Sequence, residues 1–454
     1  MSAMRCSMQS GARRRRWRRM WRILRSWRRW RNRPEREASM QRRKGHKMLP
    51  EDWRQISTGE CADLLTGYAF SSQHYAEPNA STVRLLRGDN IVPGYLRWDD
   101  AKHWTTPYAE ELQRYEMRQG DIVIAMDRPL VSAGLKCSVV QQHDLPCLLV
   151  QRVARLRAKS HVEQGYLTHL FQTQQFTQHL KGQKTETAVP HISPNDIRRF
   201  QLALPSNLQE QRRIAHILST WDQAIATAEQ QLASSRRYAE VLRNALLAGQ
   251  RRFGDYATWQ SKPLSEMIRE SRVVGSGGDV AKKITVKLYG RGVVGKSDKR
   301  AGSESTRYYR RSAGQFIYSK LDFLNGAFGR IPAALDGYES TLDLPAFDFL
   351  PGVDPRWFLH YVSRETFYTG HLGLANGGRK ARRVNPNDLL RISIPTPCLE
   401  EQARIADAID TALSLVTTQE RLLNLMREEK SALMSQLLTG KRRVRLPADE
   451  AASA

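Results

Sequence analysis

Residues 210–252 and 401–443 are two copies of one segment. They align without a gap at an offset of 191, and 16 of the 43 positions are identical. The first reads EQRRIAHILSTWDQAIATAEQQLASSRRYAEVLRNALLAGQRR. The second reads EQARIADAIDTALSLVTTQERLLNLMREEKSALMSQLLTGKRR. A repeat on this scale constrains architecture before any local argument does, because the chain must build one unit twice. The approaches match as well: SPNDIRRFQLALP (193–205) parallels NPNDLLRISIPTP (385–397).

Both copies predict long helices. In the first, Ile214, Leu218, Trp221, Ile225, Ala228, Leu232, Ser235, Ala239, Leu242 and Leu246 alternate spacings of four and three. The second places Ile405, Ile409, Ala412, Val416, Gln419, Leu423, Met426, Lys430, Leu433 and Leu437 in the same register. A heptad stripe sustained this far argues for a coiled coil. The pairing candidates are therefore Ile214, Leu218, Trp221, Ile225, Leu232, Leu242 and Leu246 against Ile405, Ile409, Val416, Leu423, Leu433 and Leu437. The other reading is that each stripe packs on its own globule. A helix of about 40 residues spans ~60 Å, more than a small domain needs. Gln419 and Lys430 weaken the seam and are suited to fixing register. Gly249 and Gly440 fall where helix-ending glycines stand.

Two segments of domain size precede the helices, and both are rich in short β-like runs. The first holds DIVIAM (121–126), SVVQQ (138–142) and CLLVQRVARL (147–156); the second holds KITVKLYG (283–290) and GQFIYSKL (314–321). RYEMRQGDIVIAMD (114–127) lines up with YYRRSAGQFIYSKL (308–321), setting Gly120 on Gly314. The predicted fold is mixed α/β. Its divisions are a basic extension at 1–47, a globule at 48–205, a long helix at 206–252, a globule at 253–397, a long helix at 398–443 and a tail at 444–454.

Charge points to a polyanion. The 454 residues carry 72 Lys and Arg against 46 Asp and Glu, a net charge of +26. Nucleic acid is the default partner for such an excess. Of that charge, +16 lies in residues 1–47, where Trp17, Trp21, Trp27 and Trp30 stand among arginines. That segment reads as a disordered extension or a mis-assigned start, or else as an arm for nucleic acid or a membrane surface. It has no apolar core of the secretory kind. No run in the chain approaches the roughly 20 apolar residues of a membrane span. Five cysteines without a CxxC pair exclude a disulfide scaffold and argue against structural zinc.

These features together resemble the specificity (S) subunit of type I restriction–modification systems. The residues that carry the resemblance are the twin segments LPSNLQEQRRIAHIL…LLAGQRR and IPTPCLEEQARIADAI…QLLTGKRR. Also similar are RQGDIVIAMDRPLVSAGLK (118–136) and YSKLDFLNGAFGRIP (318–332). The match runs from Met48 to about Arg445, and residues 1–47 have no place in it. The resemblance implies two target recognition domains, each reading half of a bipartite site in double-stranded DNA. It implies two long helices paired as an antiparallel coiled coil, so that the repeat has pseudo-two-fold symmetry. Two methyltransferase (M) subunits and restriction (R) subunits would dock there. S-adenosylmethionine, ATP and Mg would be theirs, with no cofactor, metal or catalytic residue on this chain, and the setting would be cytoplasmic.

Base-contact candidates are polar residues on loops between strands. In the first globule they are Arg128, Ser132, Lys136, Lys181, Gln183 and Lys184. In the second they are Lys320, Asn325, Arg330, Asn376, Arg379, Lys380 and Arg382. Arg can fork onto guanine, and Asn or Gln onto adenine. A solvated surface role is the alternative for each. His191 reads as structural or DNA-proximal, and Cys137 and Cys147 as buried small hydrophobes. One motif opposes the non-catalytic reading. Gly290–Ser297 (GRGVVGKS) satisfies the phosphate-loop pattern G-x-x-x-x-G-K-[ST]. The residues after it, DKRAGSESTRYYRR, have no helical apolar period. The alternatives are thus a phosphate-loop NTPase or nuclease acting alone, or a coiled-coil scaffold without sequence preference.

Overall fold

The computed structural model describes residues 49–182, 191–296, 303–370 and 383–446. The fold is mixed α/β. It divides into two compact units, and both divisions fall inside the long helices. The first unit runs to Ala228 and takes up the chain again from Leu423; the second spans Glu229–Leu422. The helices themselves are Leu208–Leu247 and Leu399–Leu437.

In the first unit a four-stranded antiparallel sheet has the order Cys137–Val139, Ile122–Ala125, Val153–Ala158, Ala62–Thr66. Ile122–Ala125 is buried at every position, as its unbroken apolar run requires. Gly120 enters this strand at φ +89°, a conformation that needs glycine. The apolar run 147–156 is two strands rather than one. Cys147–Leu149 joins a separate sheet, and the chain turns at Arg152, φ +63°, before Val153–Ala158. A two-stranded ribbon pairs Trp53–Ser57 with Gln201–Pro205 and leads into the first long helix.

The second unit repeats this plan. Its four-stranded antiparallel sheet has the order Phe328–Arg330, Phe316–Tyr318, Ala346–Phe349, Ile268–Ser271. Gly314 enters the buried strand Phe316–Tyr318 at φ +88°. A ribbon pairs Gln260–Pro263 with Ser393–Thr396 before the second long helix. The core is aromatic: Phe316, Tyr318, Phe323, Phe328, Phe347, Trp357 and Phe358 pack with Leu246, Leu247, Ile405 and Ile409 of the helices.

Within each unit ion pairs join the two helical segments. In the first, Asp222 meets Lys430 and Glu210 meets Arg443. In the second, Arg236 meets Glu420 and the short connection after the first helix brings Arg252 to Glu401. Ile214, Leu218, Trp221, Leu232, Leu246, Ile405, Ile409, Val416, Leu423, Leu433 and Leu437 are buried, while Ile225 and Leu242 are half-buried. The two weak seam positions differ. Lys430 donates to Asp222 and, at 3.3 Å, to Gln172. The Gln419 side-chain oxygen is buried without a hydrogen-bond partner. Both helices end alike, with Gly249 at φ +70° and Gly440 at φ +69°. The Arg251 N–H returns to the Ala245 carbonyl, and the Arg442 N–H to that of Gln436.

Candidate nucleic-acid interface

Each unit is anchored to the long helices by an equivalent buried glutamine, Gln211 in the first and Gln402 in the second. Gln211 accepts from the Glu163 N–H at 2.8 Å and donates to the His161 and Pro205 carbonyls. Gln402 accepts from the Asp354 N–H at 2.9 Å and donates to the Gly352 and Pro397 carbonyls. These bonds tie ribbon, globule and helix start together.

The neighbouring glutamates form a clasp. Glu210 is 1% exposed and Glu401 0%. Glu210 accepts from Trp53 Nε1 at 3.4 Å and from Arg443 at 2.6 and 2.8 Å. Glu401 accepts from Trp259 Nε1 at 2.9 Å and from Arg252 at 2.9 and 2.8 Å. Arg252 and Arg443 are themselves repeat partners. The glutamate opening each helix is therefore held by the arginine that follows the other helix. A buried carboxylate needs this company, because desolvation otherwise opposes its charge.

In the first unit the chain leaves the central strand at Asp127. Its carboxylate accepts from Arg152 at 2.7 Å and pairs with His191 Nδ1 at 2.6 Å. Burial raises the Asp127 carboxyl, but the hydrogen bonds from Arg152 and His191 outweigh it and hold the group below its usual range. Arg128 follows, exposed at φ +44°. A hairpin comes next, Leu130–Val131 against Gly134–Leu135, with Ser132 exposed at its tip. The Lys136 N–H closes this hairpin on the Pro129 carbonyl at 2.7 Å. Partial burial lowers the Lys136 ammonium, and nearby Arg128 and Arg97 lower it further against the pull of Asp89. One hairpin thus gathers Arg128, Ser132 and Lys136. Lys181 is exposed in the last turn of a separate helix, Gln174–Gly182. Gln183 and Lys184 lie outside the described residues.

In the second unit the loop after Phe316–Tyr318 holds Lys320, half-buried, and Asn325, exposed. The Lys320 N–H donates to the Asp343 carbonyl, and the Lys320 carbonyl accepts from the Val384 N–H. This matches the first unit, where the Ile192 N–H donates to the Met126 carbonyl. Arg330 is exposed at the other end of the short ladder, opposite Phe316. Asn376, Arg379, Lys380 and Arg382 lie outside the described residues.

The phosphate-loop reading fails on geometry. Val293–Gly295, inside the motif, is a strand paired antiparallel with Ile284–Val286. A phosphate loop instead opens a helix whose N-terminal amides face the phosphate. Among the described residues no group of His, Cys, Asp and Glu is arranged to hold a metal ion. No helix among them is long and apolar enough to cross a membrane. Burial pushes the Cys147 thiol up to about 12, as suits a packing residue, while Cys137 is half-buried. Sequence reasoning missed Arg152 and Tyr289, which share with Arg128 a left-handed backbone. Their signal, a turn closed by a Cβ-bearing residue, has no sequence mark.

Residues 50–234 match the family model described as the Type I restriction modification DNA specificity domain. The EcoAI type I restriction enzyme specificity subunit of Escherichia coli is 33% identical over 180 residues, 39% of this chain and 29% of that protein. The MjaVIII specificity subunit of Methanocaldococcus jannaschii is 26% identical over 202 residues, 44% of this chain and 47% of that protein. The chain thus spans less than half the length of either relative. A solved structure, titled for complex assembly and conformational transition of the type I R-M system, shares the fold. Its TM-score is 0.54 at 16% identity, over 87% of this chain and all of the other. The family model and both relatives agree in what this chain is similar to: over residues 50–234, the span of the family match, it resembles type I restriction–modification specificity subunits.

Proposed function

We propose that this chain supplies DNA sequence specificity to a type I restriction–modification complex and catalyses nothing itself. Each globule is a target recognition domain that reads one half of a bipartite site in double-stranded DNA. The long helices pair as an antiparallel coiled coil that spaces the globules and docks two methyltransferase (M) subunits and the restriction (R) subunits. S-adenosylmethionine, ATP and Mg work on those partners, in the cytoplasm.

The observation that carries this reading is duplication down to single hydrogen bonds. The sheet order, the Gly120 and Gly314 entries, the Gln211 and Gln402 anchors and the two clasps all recur. Two like surfaces suit two half-sites. Half-sites read from one face of the duplex lie about one turn, ~34 Å, apart or a multiple of it. Stiff paired helices can hold such a spacing, and a flexible linker cannot. Lysines and arginines on the loops would position the globules through phosphates, with base edges supplying sequence.

Exchanging residues 48–205 for the corresponding globule of a relative tests this. The recognised sequence should change in one half-site only. A change in both halves would refute modular reading.

A further inference from the structure

The loop before Val293–Gly295 is built unlike its surroundings. Tyr289 has φ +58°, and Gly290 and Gly292 have +64° and +85°. Glycine adopts such a backbone freely; a residue with a Cβ does so at a cost. The conformation is fixed from outside. The Tyr289 N–H donates to the Asn325 carbonyl at 2.9 Å, and the Gly290 N–H to that of Gly326 at 2.8 Å. The Lys287 N–H donates to the Gly292 carbonyl at 2.9 Å. The loop is thereby clamped to the turn that follows the central strand Phe316–Tyr318. A Cβ on Gly326 would come within 3.4 Å of the Tyr289 Cα, so the approach is close.

Packing does not account for the side chain held there, since Tyr289 is 66% exposed. Strained residues that bury little persist where the surrounding structure over-determines them, and they cluster at ligand sites. Along the chain Lys287 and Arg291 flank Tyr289 with no acid between them. The Arg291 guanidinium stands 6.0 Å from the Tyr289 ring centroid. A rigidly mounted aromatic face among cations suits a nucleobase, with the cations taking the flanking phosphates.

We propose that Tyr289 is a stacking residue of the second globule. Its ring stacks on a partly unstacked base of bound duplex and sets the preference at one position of the second half-site. Flexible pyrimidine–purine steps are the ones it would favour, because they unstack most readily. This rests on residues 253–397 being a DNA-reading globule.

The test uses the complex as purified from its host, with whatever subunits accompany the chain. It is mixed with a pool of random-sequence duplexes, and the retained DNA is sequenced. Wild type should enrich a split motif. Tyr289→Gly should lose about tenfold in affinity, the scale of one lost base stack. It should also relax one position of one half-site and leave the other half intact. Tyr289→Phe should keep both, since stacking needs no hydroxyl. Thermal unfolding of Tyr289→Gly should occur at or above the wild-type temperature, because glycine relieves the left-handed backbone. Unchanged affinity and motif in Tyr289→Gly would overturn the inference while leaving the specificity reading intact. So would a loss in Tyr289→Phe equal to that in Tyr289→Gly, or a lowered melting temperature, which would make the ring a packing group. Failure of wild type to enrich any motif would overturn both.

Discussion

The two clasps occupy equivalent places and are not equally provisioned. In the second unit Glu401 has a full set of close donors, Arg252 at 2.9 and 2.8 Å and Trp259 at 2.9 Å. In the first unit the tryptophan bond to Glu210 is stretched to 3.4 Å, and Arg443 divides itself between Glu210 and Asp52. Duplication preserved the buried carboxylate and let its surroundings drift. The lesson is that the glutamate is the invariant demand of this geometry, and the donors are adjustable. The histidines repeat the pattern. His360 Nε2 meets Asp410 at 2.7 Å, whereas His169 Nε2 meets Ser219 at 3.2 Å. An acid in one copy is a hydroxyl in the other.

The largest effect expected is from Arg443→Ala. It strands the buried Glu210 with one long hydrogen bond; because Arg443 is itself 44% exposed, solvent screening limits the cost to about 3 kcal/mol. Arg252→Ala should cost less, because Trp259 stays close to Glu401. Chemical unfolding of the two variants checks the order; a larger loss for Arg252→Ala would reverse the comparison.

His169 gives a smaller, pH-dependent difference. Burial first, and then Lys430, lowers its imidazole to about 4. An unfolded histidine titrates near 6.5. The unfolded chain therefore takes the proton first, and stability falls as pH drops from about 6.5 towards 4. Against a His169→Gln variant, wild type should lose about 2 kcal/mol more between pH 7.5 and pH 5. Unfolding curves at the two pH values measure this, and parallel behaviour of the two proteins would show that the folded imidazole titrates normally.

The amide anchors should be the most nearly equal pair. Gln211→Ala and Gln402→Ala each leave a backbone N–H and two carbonyls without their side-chain partner, at about 1–3 kcal/mol. Melting temperatures that differ widely would show that the two anchors carry different loads.

Much of this was legible in the sequence. The heptad stripe marks the long helices, and Gly249 and Gly440 mark their ends, because both features depend on local backbone rules. The alignment of Gly120 on Gly314 locates both central strands. The clasps were not legible. Glu210 and Arg443 stand 233 positions apart, and only the tertiary fold brings them together. The break at Arg152 was hidden by an apolar run that reads as continuous. Tyr289 was hidden because nothing in its neighbours spells a positive φ, and the glycine-rich text beside it suggested a phosphate loop instead.

Function can be pressed on the same duplication. Four residues inserted within 225–245, about one helical turn, should lengthen the gap between half-sites and leave both sequences unchanged. The most direct measurement is a genome-wide map of DNA methylation in the host, with this gene intact and deleted. The account predicts that a split motif, two short constant blocks around a fixed unspecified gap, loses adenine methylation when the gene is deleted. An identical map in the two strains would contradict it.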